Sequence, residues 1–152
     1  MISKFKVLLI LTSFLFFWSC GDKATKISKI TEADMQMQMS NAYKEGYFEL
    51  ERGDVLLAAK KFNEAELLFP QSSWAAKSAI MAAYAYYTQD YYSDAIFELE
   101  RYLVTYPKNK DKVYAHFLLG MSFYEQIVDE KKDLKSILDS KEQFETIIRD
   151  YP

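Results

Sequence analysis

Apolar residues recur at helical spacing from about residue 34 to the end of the chain. Three aromatic-proline pairs divide that stretch: Phe69-Pro70, Tyr106-Pro107 and Tyr151-Pro152. Twelve residues before each proline stands a small residue (Ala58, Ala95, Ser140), and eight before it a large apolar one (Phe62, Leu99, Phe144). Gly46 and Ala83 lie 24 before their prolines, whereas the matching Gly120 lies 32 before, so eight extra residues intervene in the third unit. Gly46, Ala83 and Gly120 are themselves spaced by 37 and 37. A fixed period of this length, with this internal order, predicts stacked helix pairs. Small residues at a helix crossing let two backbones approach, the large residue one turn on fills the space beside it, and the proline ends the second helix. First helices are expected at roughly 34–52, 72–89 and 111–128, and second helices at roughly 54–68, 92–105 and 134–150. Gly53-Asp54 and Asp90-Tyr91 supply the turns of the first two units, and the charged stretch from Asp129 to Lys135 is expected to be a solvated loop.

The small–large–proline order resembles the tetratricopeptide repeat, lengthened by three residues over the usual 34. The expected fold is therefore all-α: a tetratricopeptide-repeat solenoid over residues 31–152, with repeats at roughly 34–70, 72–107 and 111–152, the third with an enlarged loop. Relative to Gly46, Ala83 and Gly120, the residues three before are Tyr43, Ile80 and Phe117. One after come Tyr47, Tyr84 and Met121, and four after come Leu50, Tyr87 and Tyr124. These offsets share one helix face, distinct from the packing face that Tyr86 and Phe123 continue and Glu49 breaks. In tetratricopeptide solenoids such a column would face the concave groove. Tyr43, Tyr47, Tyr84, Tyr87, Phe117, Met121 and Tyr124 are accordingly candidate peptide- or partner-binding residues, suited to an extended peptide with aromatic side chains. The alternative is that these rings pack against neighbouring helices.

Composition narrows the chemistry. Half the 152 residues are apolar, 16% aromatic and 27% charged, with only four glycines and three prolines, which excludes disordered and low-complexity classes and favours one helical domain. Nineteen basic against 22 acidic residues give −3, and nothing suggests nucleic-acid binding. One cysteine and one histidine build neither an internal disulfide nor a zinc site of three or four Cys/His ligands. Glycines at 21, 46, 53 and 120 write no phosphate-binding loop, so neither catalysis nor a cofactor or metal is expected. His116 matches Ala42 and Ala79 on the packing face and is read as structural. The acidic pairs Glu64/Glu66 and Glu98/Glu100 do not face each other on a helix, and together with Asp129/Glu130 they are read as solvated surface. The alternating Met35 to Met39 stretch is read as a helix start, because alternation splays its sulfurs.

The first twenty residues read as an address. Lys4 and Lys6 precede an apolar run from Val7 to Trp18, about 18 Å of helix at 1.5 Å per residue, too short for a ~30 Å hydrocarbon core. That pattern is an export signal over residues 1–19. Ser19-Cys20-Gly21 resembles a bacterial lipoprotein processing site, which implies lipidation of Cys20, although Phe17 and Trp18 depart from the usual leucine and small residue. Asp22 comes one place later than the acidic residue that retains lipoproteins in the inner membrane of enteric bacteria, so the resemblance points to the outer membrane. Residues 20–30 (CGDKATKISKI) lack aromatics and periodicity and read as a flexible tether. Without the two lysines of residues 1–19, 17 basic residues face 22 acidic ones.

The run from Pro70 to Tyr87 (PQSSWAAKSAIMAAYAYY) and that from Tyr114 to Asp129 (YAHFLLGMSFYEQIVD) resemble the BamD family of outer-membrane protein assembly lipoproteins, as does the closing Phe144 to Pro152. The resemblance covers the chain from Cys20, and its most specific part is the Tyr-Glu-Gln-Ile-Val-Asp segment with the enlarged third unit. It implies a lipid-anchored adaptor on the periplasmic face of the outer membrane. Such an adaptor binds a BamA-type insertase and other assembly-complex subunits, and receives unfolded outer-membrane β-barrel proteins. Family members carry about five repeats, so further repeats, including a main docking surface for the insertase, are expected beyond Pro152. Without them the last helix, with Phe144, Ile147 and Ile148, is expected to aggregate or to be marginally stable. Alternative readings are another envelope repeat lipoprotein, such as a cell-division coordinator or pilotin, or the solenoid of a longer envelope enzyme.

Overall fold

A computed structural model describes residues 31–129, 131 and 133–151. The expected signal segment, Cys20 and the tether lie outside the described residues. Six α-helices follow in order: α1 Glu32–Glu51, α2 Val55–Leu68, α3 Ser73–Tyr87, α4 Tyr92–Thr105, α5 Lys112–Glu125 and α6 Leu134–Asp150. The described residues contain no strand. No described helix is long and apolar enough to cross a membrane. Each helix packs on its chain neighbours, and α3 also touches α5.

Local chemistry sets the helix ends. Thr31 and Asp34 form a reciprocal capping box at α1, the Asp54 carboxylate accepts the Leu57 N–H at α2, and the Ser72 hydroxyl accepts the Trp74 N–H at α3. Helix α1 ends where Gly53 takes a left-handed φ of 83°, with the Asp54 N–H donating to Glu49 O and the Gly53 N–H to Leu50 O. Thirty-seven residues on, Asp90 repeats the device at φ 64°, with Tyr91 donating to Tyr86 O and Asp90 to Tyr87 O. The next equivalent is Ile127, whose β-branched side chain disfavours that conformation, and it does not adopt it. The chain there runs on through the longer connection, in which the Asp133 carboxylate accepts the N–H groups of Val128 and Asp129. The enlarged loop thus begins where the left-handed turn fails. Because nothing lies within 4 Å of where a Gly53 Cβ would go, Gly53→Ala isolates the backbone term. It is expected to lower the urea-unfolding free energy by about 1–2 kcal/mol.

The core runs along the stack. Helix α3 is held on two sides, so both faces are small: Ala82 and Ala85 pack with Val55, Ala58 and Phe62, while Ala79 and Ala83 pack with Leu99, Leu118 and Leu119. The sequence period marks real crossings. Phe62 lies against Gly46, Phe144 against Gly120, and Leu99 shares a cluster with Ala83. In the third unit the small residue of the second helix adds a bond, since the Ser140 hydroxyl donates to Gly120 O at 2.9 Å. His116 is half-buried between α5 and α6, its Nδ1 2.8 Å from Gln143 Oε1.

One expectation fails. Glu66 and Glu98 are not solvated surface but 5% and 7% exposed. Arg101 of α4 donates both Nη atoms to the Glu66 carboxylate of α2, at 2.9 and 2.7 Å, and Nε to Glu98 at 2.9 Å. The Tyr106 hydroxyl donates to Glu66 and Asn63 Nδ2 to Glu98. These bonds hold the guanidinium charged, well above its ordinary range, the Glu66 bond contributing most. The partners stand 35 and 40 residues apart, beyond the reach of local helix pattern.

Candidate peptide-binding face

The first members of the helix pairs, α1, α3 and α5, carry the aromatic column. Tyr47 of α1 and Tyr84 of α3 line one cleft of about 330 Å³, floored by Leu50, Val55 and Met81. Tyr47 is 49% exposed, so a peptide would meet its ring directly. Tyr84 and Tyr87 are half-buried and pack on the core cluster of α3, α4 and α5. Tyr87 also meets Tyr92, ring centroids 5.7 Å apart, and the Tyr92 hydroxyl donates to the Asp90 carboxylate. That bond to a carboxylate is the main reason the Tyr92 phenol is pushed up to about 12.

On α5 the column is more open. Tyr124 is 57% exposed and Phe117 47%, while Met121 is half-buried. Phe117 leans towards α6, 6.3 Å from the Phe144 ring. Tyr43, by contrast, is wedged edge-on against Phe62 at 5.3 Å and Trp74 at 5.1 Å, and its phenol is raised first by burial and then by Tyr47. Tyr43 lines a second pocket of about 360 Å³ with Met39, Ser40, Lys44 and Trp74.

Trp74, Lys77 and Tyr114 were not among the residues expected. Burial, with a smaller contribution from Tyr84 and Tyr87, raises the Tyr114 phenol, and its ring is 6.4 Å from Phe117. Lys77 holds its ammonium 4.6 Å from the Trp74 ring centroid and 5.5 Å from that of Tyr43. Lys77 and Tyr114 stand six before Ala83 and Gly120, one turn further along the helix than the offsets compared in the sequence. Extending that column by one turn would have found both.

Helices packed in series at a 37-residue period, with a ring-lined edge on their first members, define a helical-repeat protein. The family described as outer membrane lipoprotein, YfiO, matches residues 35–152, and the chain belongs to this family. It is 30% identical over 133 residues, 88% of this chain and 43% of the relative, to the outer membrane protein assembly factor BamD of Caulobacter vibrioides. The BamD of Rickettsia prowazekii is 27% identical over 125 residues, covering 82% of this chain and 50% of the relative. That of Xylella fastidiosa is 22% identical over 154 residues, covering 95% and 51%. The chain spans about half the length of the curated relatives it matches.

Proposed function

We propose that this chain is the peptide-receiving part of an outer-membrane protein assembly factor, a non-catalytic scaffold of three tetratricopeptide-like helix pairs. It takes extended, aromatic-bearing segments of unfolded β-barrel proteins along the first-helix face and works with a BamA-type insertase and other assembly-complex subunits. Its anchor is a lipid on Cys20, at the periplasmic face of the outer membrane. The observation that carries this reading is the cleft that Tyr47 and Tyr84 line together. Extended segments of barrel proteins alternate aromatic and polar residues, so their rings can stack on this edge while the polar side stays wet.

Tyr84 and Tyr87 are poor probes because both pack on the core. Tyr47 and Tyr124, the more exposed rings, separate binding from stability. Each change to alanine is expected to weaken binding of a barrel-protein peptide by about 2- to 13-fold, from ~0.5–1.5 kcal/mol per ring contact. The melting temperature should move by less than ~2 °C. Unchanged titration curves for both variants would remove the groove as the binding surface.

A further inference from the structure

We propose that the buried cluster of Asn63, Glu66, Glu98, Arg101 and Tyr106 is a tie that fixes the angle between the first two helix pairs, and so the spacing of Tyr47 from Tyr84 across their cleft. The inference goes beyond the function proposed above and does not depend on what the cleft receives.

Each pair is locked internally. Phe62 lies on Gly46 between α1 and α2, and Leu99 packs with Ala83 between α3 and α4. Between the pairs, α2 and α3 make the close packing contact, whereas α1 with α3 and α2 with α4 meet mainly through side chains. Ala58, Ala59, Ala82 and Ala85, all fully buried, share the core cluster at the α2–α3 contact. Alanine raises only shallow ridges, so such an interface holds two helices at a distance better than at an angle. It is the axis about which one pair can roll on the other.

Two sets of side chains restrain that roll. One spans α1 and α3, where Tyr43 meets Trp74 edge-on and Lys77 sits over both rings. Ring contacts tolerate a wide range of angles. The other spans α2 and α4 and is directional. Arg101 reaches Glu66 with both Nη atoms and Glu98 with Nε, Asn63 Nδ2 donates to Glu98 and the Tyr106 hydroxyl to Glu66, all at 2.7–3.0 Å. Hydrogen bonds weaken steeply when bent, and a planar fork on a carboxylate accepts few orientations.

The second junction does without these ions. Thirty-seven residues after Glu66 stands Leu103, half-buried against the apolar core, and counted back from the proline Glu98 and Arg101 become Gln143 and Thr146. An apolar contact therefore suffices to close a junction, and replacing a whole buried ion cluster with apolar residues often costs no stability. What the ions add at the first junction is one fixed geometry.

The test uses the full chain with Cys20→Ser in detergent micelles, without peptide, so its outcome is separate from that of the peptide-binding reading. Spin labels on cysteines replacing the exposed Gln38 of α1 and Glu100 of α4 report the first junction by pulsed electron resonance. Labels replacing Glu100 and the exposed Glu142 of α6 report the second. The variant Glu66→Leu/Glu98→Leu/Arg101→Met/Tyr106→Phe removes the tie and leaves no buried charge behind. It is expected to keep its helical circular dichroism while the first distance distribution broadens about twofold and the second stays unchanged. Arg101→Lys, which keeps the charge and loses the fork, should give an intermediate width. If the fourfold variant does not fold, Arg101→Lys decides on the same two distances. A first distribution as narrow as in the unsubstituted protein, or equal broadening across both junctions, overturns the tie.

Discussion

Arg101→Ala is expected to lower the unfolding free energy by about 2–4 kcal/mol, the largest loss from any single charged residue among those described. Among the described residues the guanidinium is the one cation bonded to two carboxylates that are almost fully buried, and it joins α2 to α4. Removing it leaves Glu66 and Glu98 facing each other's charge, with only the Tyr106 hydroxyl and the Asn63 amide as donors. A third of the Arg101 side chain meets water, which holds the estimate below the ~3–5 kcal/mol typical of fully buried pairs. Arg101→Lys should fall between wild type and alanine. It keeps the charge, but a single ammonium cannot reproduce the two-pronged contact with Glu66 and the third bond to Glu98 together. Adding Glu66→Gln to Arg101→Ala should restore part of the loss by removing one uncompensated charge. Urea midpoints at neutral pH decide the matter, and a loss under about 0.5 kcal/mol for Arg101→Ala would mean the cluster behaves as an exposed pair.

That cluster also marks where sequence reading stops. The helix boundaries were legible to within a few residues, because the small–large–proline order records contacts between helices adjacent in the chain: Gly46 with Phe62, Gly120 with Phe144. The turns at Gly53-Asp54 and Asp90-Tyr91 were legible as turns, and the structure adds the left-handed backbone of Gly53 and Asp90. Glu66 was not, since its meaning depends on Arg101 in the next repeat, 35 residues on, and Glu98, three before Arg101 on the same helix, is buried only because Asn63 and Glu66 of the preceding unit close the cluster. The same physical cause divides the candidate site. Offsets from one reference residue place Tyr47, Tyr84 and Tyr87 on one face, but not how deeply each ring sinks. Tyr43 sinks because Trp74, from the following unit, closes over it. Lys77 and Lys44 are polar residues on a face defined by its rings, so a search for apolar columns passes over them.

Gly46→Ala is expected to cost about 1–2 kcal/mol, although the same change in an exposed helix would stabilise by ~1 kcal/mol. A Cβ there would stand 2.9 Å from Phe62 Cδ1 and 3.0 Å from Cε1. The ring has nowhere to retreat, being fully buried and edge-on to Tyr43. The middle unit shows the other solution to the same crossing. There Ala83 supplies the methyl and Leu99 replaces the ring, with both residues fully buried. Each unit therefore conserves volume across the crossing: no side chain opposite phenylalanine, one methyl opposite leucine. Phe62→Leu alone should lose about 1–2 kcal/mol by leaving space beside Gly46. The double variant rebuilds the middle unit's pair in the first, so its loss should be smaller than the sum of the singles by at least ~1 kcal/mol. A double-mutant cycle from urea unfolding measures that difference directly. Strict additivity, or stabilisation by Gly46→Ala alone, would show that α1 and α2 do not meet as closely as Phe62 requires.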